Sequence, residues 1–274
     1  MKKSTTKILV AALALFMAIG IATGSTFAWF SLNTTVTATG MQVVAKSDNT
    51  FLLIGTGDND TAAEIQAIVG DRTTTALTVS ASEAKLYPAS PAMTAAEAAY
   101  LPASTGKKVG GDAITTAGVQ VTDAATAAAV TNWFTANALA PDAAAIDATT
   151  ARQLTSFAGY VITKTVYLTV DTGANNANNL SVTATITQKT GGTDISAVKI
   201  LVTTDDGGFA TLTSASNTAD IKGTNTAITS STVRTVNIYI YYDGDETPVY
   251  TNNAANLTGA DITLTFNVDA VPAA

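Results

Sequence analysis

The sequence predicts a mainly β protein, an antiparallel β-sandwich that carries an Ala-rich helical insertion. Apolar and polar residues alternate in several segments of the 274-residue chain, as expected of strands with one buried face. Clusters of Gly, Asp and Asn separate these segments and favour turns. Thr occurs 50 times, and its β-branched side chain suits a pleated surface.

The first 28 residues have the layout of a signal peptide. Three lysines open the chain, and the run Ile8–Ile21 that follows is apolar and uncharged. Small residues come next, and cleavage after Ala28 would leave Trp29 as the first residue. Two alternatives stay open. The peptidase cuts after Gly24 instead, or the uncharged stretch Ile8–Phe30 is kept as a membrane anchor, since it is long enough to span a bilayer.

Residues 29–54 are predicted to form the first strands. The segment Thr35–Thr39 alternates, Gly40 interrupts it, and Met41–Ala45 resumes the alternation. The short apolar run Phe51–Ile54 ends at a Gly-Thr-Gly-Asp turn signal.

The insertion, at about residues 82–153, is rich in Ala and carries helix signals. In Ser90–Pro91 a preferred N-cap residue precedes a proline at the first helical position. Helical runs are also predicted at Asp123–Phe134 and from Asp142 to near Arg152. Ala-rich helices bury little area per residue, so we expect them to pack on a β core. Because strand patterns flank the insertion, we expect one domain over residues 29–274.

The strand pattern is strongest from Leu154 to the C-terminus. Within Tyr160–Val170, the alternation places Val166, Leu168 and Val170 on one face. Further strands are predicted at Leu180–Gln188, Ile195–Thr203, Phe209–Thr213, Val233–Tyr242 and Ile262–Val268. Several alternating strands separated by turns indicate two packed sheets, each with one buried face.

The composition excludes several kinds of chemistry. The chain contains neither Cys nor His, so it cannot form disulfides, thiol nucleophiles, Ser-His-Asp triads or imidazole metal ligands. Its formal net charge of −7 disfavours nucleic acid as a partner, because duplex binding relies on Lys and Arg. A hydrolase that uses two carboxylates needs neither Cys nor His, but no Asp/Glu pair lies in a recognisable motif. We therefore expect no enzymatic activity.

The two ends of the chain carry a resemblance. Gly24–Ser31 runs from small residues through Phe, Ala and two aromatics to Ser, and the strand-like Thr35–Met41 follows. This junction resembles that of the SipW-dependent secreted proteins of Firmicutes, which include the TasA/camelysin family of biofilm-matrix fibre subunits. The stretches Tyr160–Val170, Tyr239–Glu246 and Asn256–Phe266 are similar to strands of other proteins with this signal type.

The resemblance implies a fold and a destination. The fold is a jelly-roll-like sandwich, and a dedicated signal peptidase processes the chain during export. The mature protein then lies in the extracellular matrix or on the cell surface of a Gram-positive bacterium, and it assembles into fibres.

The segment Trp29–Val44 has the features of a strand that another subunit accepts. It begins with two aromatic residues, alternates Thr and Val, and has no charge before Lys46. At an open sheet edge, main-chain hydrogen bonds supply affinity and alternate side chains supply register. The donor residues that we single out are Trp29, Phe30, Val36, Met41 and Val43. The alternative is that this segment is the first strand of its own sandwich.

Three acidic turns are candidate calcium sites, because Ca²⁺ takes oxygen ligands. They are Asp58–Asp60, Asp205–Asp206 and Asp243–Glu246, and the candidate ligands that we retain are Asp243, Asp245 and Glu246. None has the spacing of an EF-hand loop. Solvated hairpin turns explain the same residues, so we expect no metal and no other cofactor.

Taken together, the sequence predicts a secreted structural protein whose partners are further copies of itself, assembled into filaments by β-strand addition. The signal peptidase is a partner during export, and the leader is the only membrane contact before cleavage. Nucleic acid is not an expected partner. The alternative function is a monomeric cell-surface adhesin or glycan-binding module.

Overall fold

The computed structural model describes residues 36–37, 42–47, 51–79, 85–87, 89–91, 108–109, 112–113, 124–136, 151–188, 195–221, 227–243 and 260–271. Within these ranges the helices are α1 (Ala62–Ala67), α2 (Ala124–Ala128) and a 3₁₀ helix (Val130–Asn132). The strands are β1 (Val36–Thr37), β2 (Val43–Ser47), β3 (Leu52–Gly55), β4 (Thr74–Leu77), β5 (Lys85–Leu86), β6 (Ser90–Pro91), β7 (Lys108–Val109), β8 (Asp112–Ala113), β9 (Trp133–Ala136), β10 (Ala151–Gln153), β11 (Val161–Val170), β12 (Asn176–Gln188), β13 (Val198–Thr204), β14 (Phe209–Thr213), β15 (Thr218–Asp220), β16 (Arg234–Tyr242) and β17 (Ala260–Val271).

Two five-stranded sheets dominate the structure. Sheet I has the order β14-β13-β16-β11-β3 and is antiparallel throughout. Sheet II has the order β15-β12-β17-β2-β4, and only β2 and β17 run parallel among its described pairs. From β11 to β17, the chain changes sheet at every step except the β13–β14 hairpin. The prediction of a mainly β, antiparallel-rich fold is therefore confirmed.

The inner faces of the two sheets share one hydrophobic core, which gives a sandwich-like arrangement. Sheet I contributes Val166, Leu168 and Val170, the residues that the alternation placed on one face, and all three are fully buried. Sheet II contributes inner residues such as Leu264 and Phe266, which are also fully buried. Alternation with a period of two therefore identified the core faces, because successive side chains of a strand point to opposite sides.

The C-terminal strands agree with the predictions to within a few residues. Strand β14 has the predicted bounds, whereas β12 begins at Asn176 and is longer than predicted. A bulge interrupts the pairing of β12 with β17 between Asn178 and Ser181. Asn179 has a φ of 53° there, a conformation that Asn tolerates better than most residues do.

The helical prediction for the insertion is wrong in several places. Ser90–Pro91 does not begin a helix, since it forms β6 and pairs with β9. The helical run from Asp123 ends at Ala128, and Trp133 and Phe134 are extended in β9. Arg152 lies in β10 and not at a helix end. Aromatic residues favour strands, and tertiary packing outweighs the weak intrinsic helix preference of Ala-rich segments.

A second hydrophobic cluster, which we call the outer cluster, covers the outer face of sheet I. Its buried members are Ala89, Ala127, Trp133, Leu154, Val161, Leu201, Tyr239 and Tyr241. Trp133 is fully buried, and its ring lies edge-on to Tyr241 with 5.0 Å between the ring centroids. Its Nε1–H donates to the carbonyl oxygen of Ala127 at 2.9 Å. Burial also raises the pKa of Tyr239. As a result, β13 and β16 are covered on both faces.

Candidate strand-assembly site

Among the strands of the two large sheets, β2 comes first in the chain. It is therefore the strand of these sheets that lies nearest in sequence to the predicted leader. It lies between β17 and β4, and Val43 is opposite Ile262 on one side and Leu77 on the other. The N–H of Ile262 donates to the carbonyl oxygen of Gln42 at 2.8 Å. The main chain of β2 is thus hydrogen-bonded along both sides.

The side chains of β2 alternate between the core and the outer face of sheet II. Val43 and Ala45 are buried in the shared core, whereas Val44 and Lys46 are only partly buried on the other face. The small side chain of Ala45 lies opposite the larger side chain of Leu264. Together the two fill the space between the sheets at this position. Recognition by strand addition uses the same arrangement, in which the main chain forms the ladder and alternate side chains fill the groove.

The structure describes two of the five predicted donor residues. Val43 lies in β2, and Val36 lies in β1, where it is opposite Leu86 of β5. The donor residues Trp29, Phe30 and Met41 lie outside the described residues, as does Ala28 of the predicted cleavage site. The described part of the segment forms strands within its own molecule. To reach another copy, Val43 would have to leave both β17 and β4.

The β3 edge of sheet I is covered by the segment that follows it. The N–H of Ile54 donates to the carbonyl oxygen of Arg72 at 2.8 Å. Helix α1 places Ile65 in a fully buried position beside β3. The Nε2 of Gln66 donates to the carbonyl oxygens of Val170 and Ser230 at 2.9 and 2.8 Å. A further strand therefore finds little free main chain at this edge.

The β4 edge of sheet II is different. Among the described residues, β2 is the only strand that pairs with β4. Thr74 and Ala76 of β4 are exposed. A short polar strand that ends a sheet presents unpaired main-chain groups to a possible partner strand. The β4 edge is therefore a candidate acceptor.

The first acidic turn leads into a helix. Asp58 and Asp60 are exposed, as expected of a solvated turn. Thr61 then caps α1: its N–H donates to Oε2 of Glu64 at 3.1 Å, and its Oγ1 accepts from the N–H of Glu64 at 3.4 Å. Hydrogen bonds from Thr61 lower the pKa of Glu64 below its ordinary value. This arrangement is a capping box, which stabilises the start of the helix.

The second acidic turn is held by an arginine. Arg234 is 8% exposed, and its Nη1 lies 3.3 Å from Oδ1 of Asp205 and forms a closer ion pair with Asp206. The hydroxyl of Thr204 donates to Asp206 at 2.5 Å. Gly207 has a φ of 87°, which lets the hairpin turn close. The guanidinium of Arg234 therefore occupies the position that a metal ion would take between these two carboxylates.

An open cavity of about 270 Å³ adjoins this ion-pair cluster. Its lining combines the polar groups of Asp205, Thr232 and Arg234 with the apolar side chain of Ile228. The cavity is thus bordered by both hydrogen-bonding and apolar surface.

The third acidic turn begins with a buried carboxylate. Asp243 is fully buried, and its Oδ2 lies 2.5 Å from the Nζ of Lys199. Asp245 and Glu246, the other two candidate calcium ligands, lie outside the described residues. In the described part of the chain, no three acidic side chains are grouped in a way that could hold a metal ion.

Sequence reasoning missed the cationic partners of these carboxylates. Lys199 and Arg234 both lie in strands that are otherwise largely apolar and buried. A charge at a buried strand position needs a partner, because an uncompensated buried charge is costly. That signal was present in the sequence. The sequence did not show which acidic residue would be the partner, because Asp205 and Asp243 lie in turns whose positions depend on how the sheet is assembled.

No protein-family model, curated protein or solved structure matches this chain. Within the described ranges, none of the helices has the length and apolar character needed to cross a membrane.

Proposed function

We propose that the chain is an exported, non-enzymatic structural protein of the bacterial surface or extracellular matrix that self-associates into filaments by β-strand addition. The observation that supports this proposal best is the placement of β2. Strand β2, the strand of the two large sheets nearest to the predicted leader, is inserted in parallel beside β17, and it completes both the hydrogen-bond ladder and the core. A groove that accepts such a strand from its own chain has the chemistry to accept the same strand from another copy.

The proposed assembly step is an exchange of β2 between copies. In the filament, β2 of one molecule occupies the groove between β17 and β4 of the next, so the hydrogen bonds that β2 makes within one molecule form again between two molecules. Exchange of an identical element is a low-cost route to association, and a head-to-tail exchange that does not close produces a filament. Residues 29–41 travel with the strand, so Val36 and Thr37 of β1 leave their partners in β5. Removal of the leader frees this end and starts assembly.

The proposal includes a jelly-roll-like connectivity for the two sheets. The regular crossing of the chain between sheets from β11 to β17 supports it. Such crossing winds the chain around the core instead of building each sheet from consecutive hairpins. It also places the first and last strands of the body next to each other, because β2 pairs with β17.

A pair of engineered cysteines tests the exchange. Val44 is opposite Thr263 in the β2–β17 pairing, and the chain has no native Cys, so the double variant V44C/T263C can form only the intended disulfide within a molecule. Oxidation of the monomer before assembly should lock β2 in place and abolish filaments in electron micrographs of the mature protein. Reduction should restore them.

The same variant supplies a second measurement. Oxidation after assembly should link neighbouring copies, which appears as a ladder of covalent oligomers on a denaturing gel. The single variant V44C is the matched control and should assemble under oxidising and reducing conditions alike. Filaments that form equally well from the locked monomer would rule out exchange of β2, and a mature protein that forms no filaments at all would rule out the structural function.

A second candidate function is the monomeric adhesin or glycan-binding module. The specific observation in its favour is the open cavity beside Asp205 and Arg234, whose mixed polar and apolar lining suits sugar hydroxyls and ring faces. Glycan-array binding by a strictly monomeric mature protein, lost in R234A, would favour this function.

A further inference from the structure

One ion pair lies beneath the outer cluster. Lys199 is in β13 and Asp243 follows the last residue of β16, two strands that pair antiparallel with Lys199 opposite Tyr241. The two residues are therefore diagonal neighbours on the same face of sheet I. The Nζ of Lys199 lies 2.5 Å from Oδ2 of Asp243.

The pair is largely shielded from solvent. The side chain of Asp243 is 0% exposed and that of Lys199 is 18% exposed. The N–H of Asp243 donates to the carbonyl oxygen of Ala197 at 2.8 Å, and Asp243 forms a β-bridge with Ala89. Ala89, Ala197 and Tyr241 are all buried.

A more exposed ion pair beside sheet I provides a contrast. Arg72 and Asp171 meet at 3.0 Å, but their side chains are 30% and 35% exposed. Water stabilises both charges there. The charges of Lys199 and Asp243 lack most of that solvation. The attraction between two buried charges offsets their desolvation cost only poorly.

From this geometry we propose that Lys199 and Asp243 condense to an intramolecular isopeptide bond that joins β13 to the end of β16. The reacting forms are the neutral amine and the carboxylic acid, which differ from the ion pair by the transfer of one proton from the ammonium to the carboxylate. The fold holds the amine beside the carboxyl group. Intramolecular reactants that reach an attack geometry have effective molarities of up to about 10⁵–10⁸ M.

The reaction balances without another reactant. The Nζ attacks Cγ of Asp243, the Nζ–Cγ bond forms, and the bond from Cγ to the hydroxyl oxygen breaks. The amine loses one proton, which leaves with that hydroxyl as one molecule of water. No oxidation or reduction takes place, and the product is a neutral amide that replaces two buried charges.

Intact-mass spectrometry of the full mature chain after complete unfolding tests the bond directly. The protein should be lighter than its sequence by the mass of one water molecule, and a protease digest should contain a branched peptide that joins Lys199 to Asp243. The variant K199R should have its full sequence mass. The variant D243N has no carboxylate to accept the proton of the ammonium, so it should also have its full sequence mass.

The matched control is K164R, which changes a lysine of the neighbouring strand β11 and should retain the water deficit. The inference is overturned if the unfolded wild type has its full sequence mass, in which case the pair is an ordinary buried ion pair. It is also overturned if the deficit persists in K199R. Both results are read from mass alone, so neither depends on how stably a variant folds or on whether filaments form.

Discussion

Sheet I and sheet II have the same number of strands but different surroundings. In sheet I, β13 and β16 are buried on both faces over most of their length, because the outer cluster packs against them. In sheet II, β17 alternates regularly between buried and partly exposed residues. The β3 edge of sheet I is covered by α1 and Arg72, whereas β4 pairs with no described strand other than β2.

The two sheets therefore differ in how their faces are packed and in how their edges are paired. Sheet I combines packing on both of its faces with the buried Lys199–Asp243 pair, so we expect it to be the more stable of the two. Sheet II contains β2 and ends at β4, an edge strand that no described strand other than β2 pairs with, so the proposed association involves this sheet. Four substitutions test whether the two sheets differ in this way.

The largest effect is expected from Trp133→Ala, which removes the centre of the outer cluster. Deletion of a buried Trp side chain should lower the free energy of unfolding by about 3–5 kcal/mol, as measured by urea denaturation. The control Trp133→Phe keeps most of the ring and should cost less. If W133A loses less than about 1 kcal/mol, the outer cluster is not an integral layer of sheet I.

Ala45→Asp tests whether β2 belongs to the core of sheet II. Ala45 is fully buried, so an unpaired carboxylate there should destabilise the monomer by about 3 kcal/mol or more. Lys46→Asp, on the opposite face of the same strand, should change the stability by only about 0.5 kcal/mol. Equal effects of the two substitutions in urea denaturation would show that β2 does not occupy its groove in solution.

Gly55→Ala tests the covered edge of sheet I. A Cβ at this position would lie 2.5 Å from Cγ1 of Ile65 and closer still to the carbonyl oxygen of Asn59. Such overpacking should cost about 1–3 kcal/mol. Part of the loss should be recovered in the double variant G55A/I65A relative to I65A alone, measured as a double-mutant cycle. A neutral G55A would show that α1 does not press against β3.

The smallest effect is expected from Thr61→Ala, which removes the capping box of α1. Loss of such a cap costs about 1 kcal/mol. The pKa of Glu64 should rise toward its ordinary value, because hydrogen bonds from Thr61 hold it low. An NMR titration of the Glu64 carboxyl measures this change, and T61S, which keeps the hydroxyl, should behave as wild type.

The sign of the pH dependence follows from the direction of that shift. A lowered carboxyl pKa contributes stability above the ordinary pKa of Glu, and this contribution is lost as the pH falls through the lowered value. The stability difference between T61A and wild type should therefore shrink in acid. A difference that grows as the pH falls would contradict the assigned hydrogen bonds.

The sequence was most informative where the fold repeats a local rule. Alternation in β11 predicted which of its faces joins the core, because the pleat of a strand needs no tertiary information. The insertion was harder to predict, since the position of Trp133 in a strand depends on its packing against Tyr239 and Tyr241. Helix propensity cannot represent such contacts, and tertiary packing overrides it.

The candidate site was predictable only in part. The segment that ends with Val43 and Val44, uncharged before Lys46, was recognisable from its residues. Its parallel pairing with β17 joins positions about 219 residues apart and leaves no local signal. The same holds for Lys199 and Asp243, whose contact requires the β13–β16 register. Long-range pairing of this kind follows from the assembled sheets and not from any one segment.

The parallel arrangement of β2 and β17 has a mechanical consequence. Tension applied between the N-terminal end of β2 and the C-terminal end of β17 pulls two neighbouring strands past each other along their length. Their hydrogen bonds, from Val43–Ile262 to Ser47–Phe266, then resist the force together instead of opening one after another. A molecule stretched between these two ends would yield at high force, and a strand peeled from a single end would yield at low force.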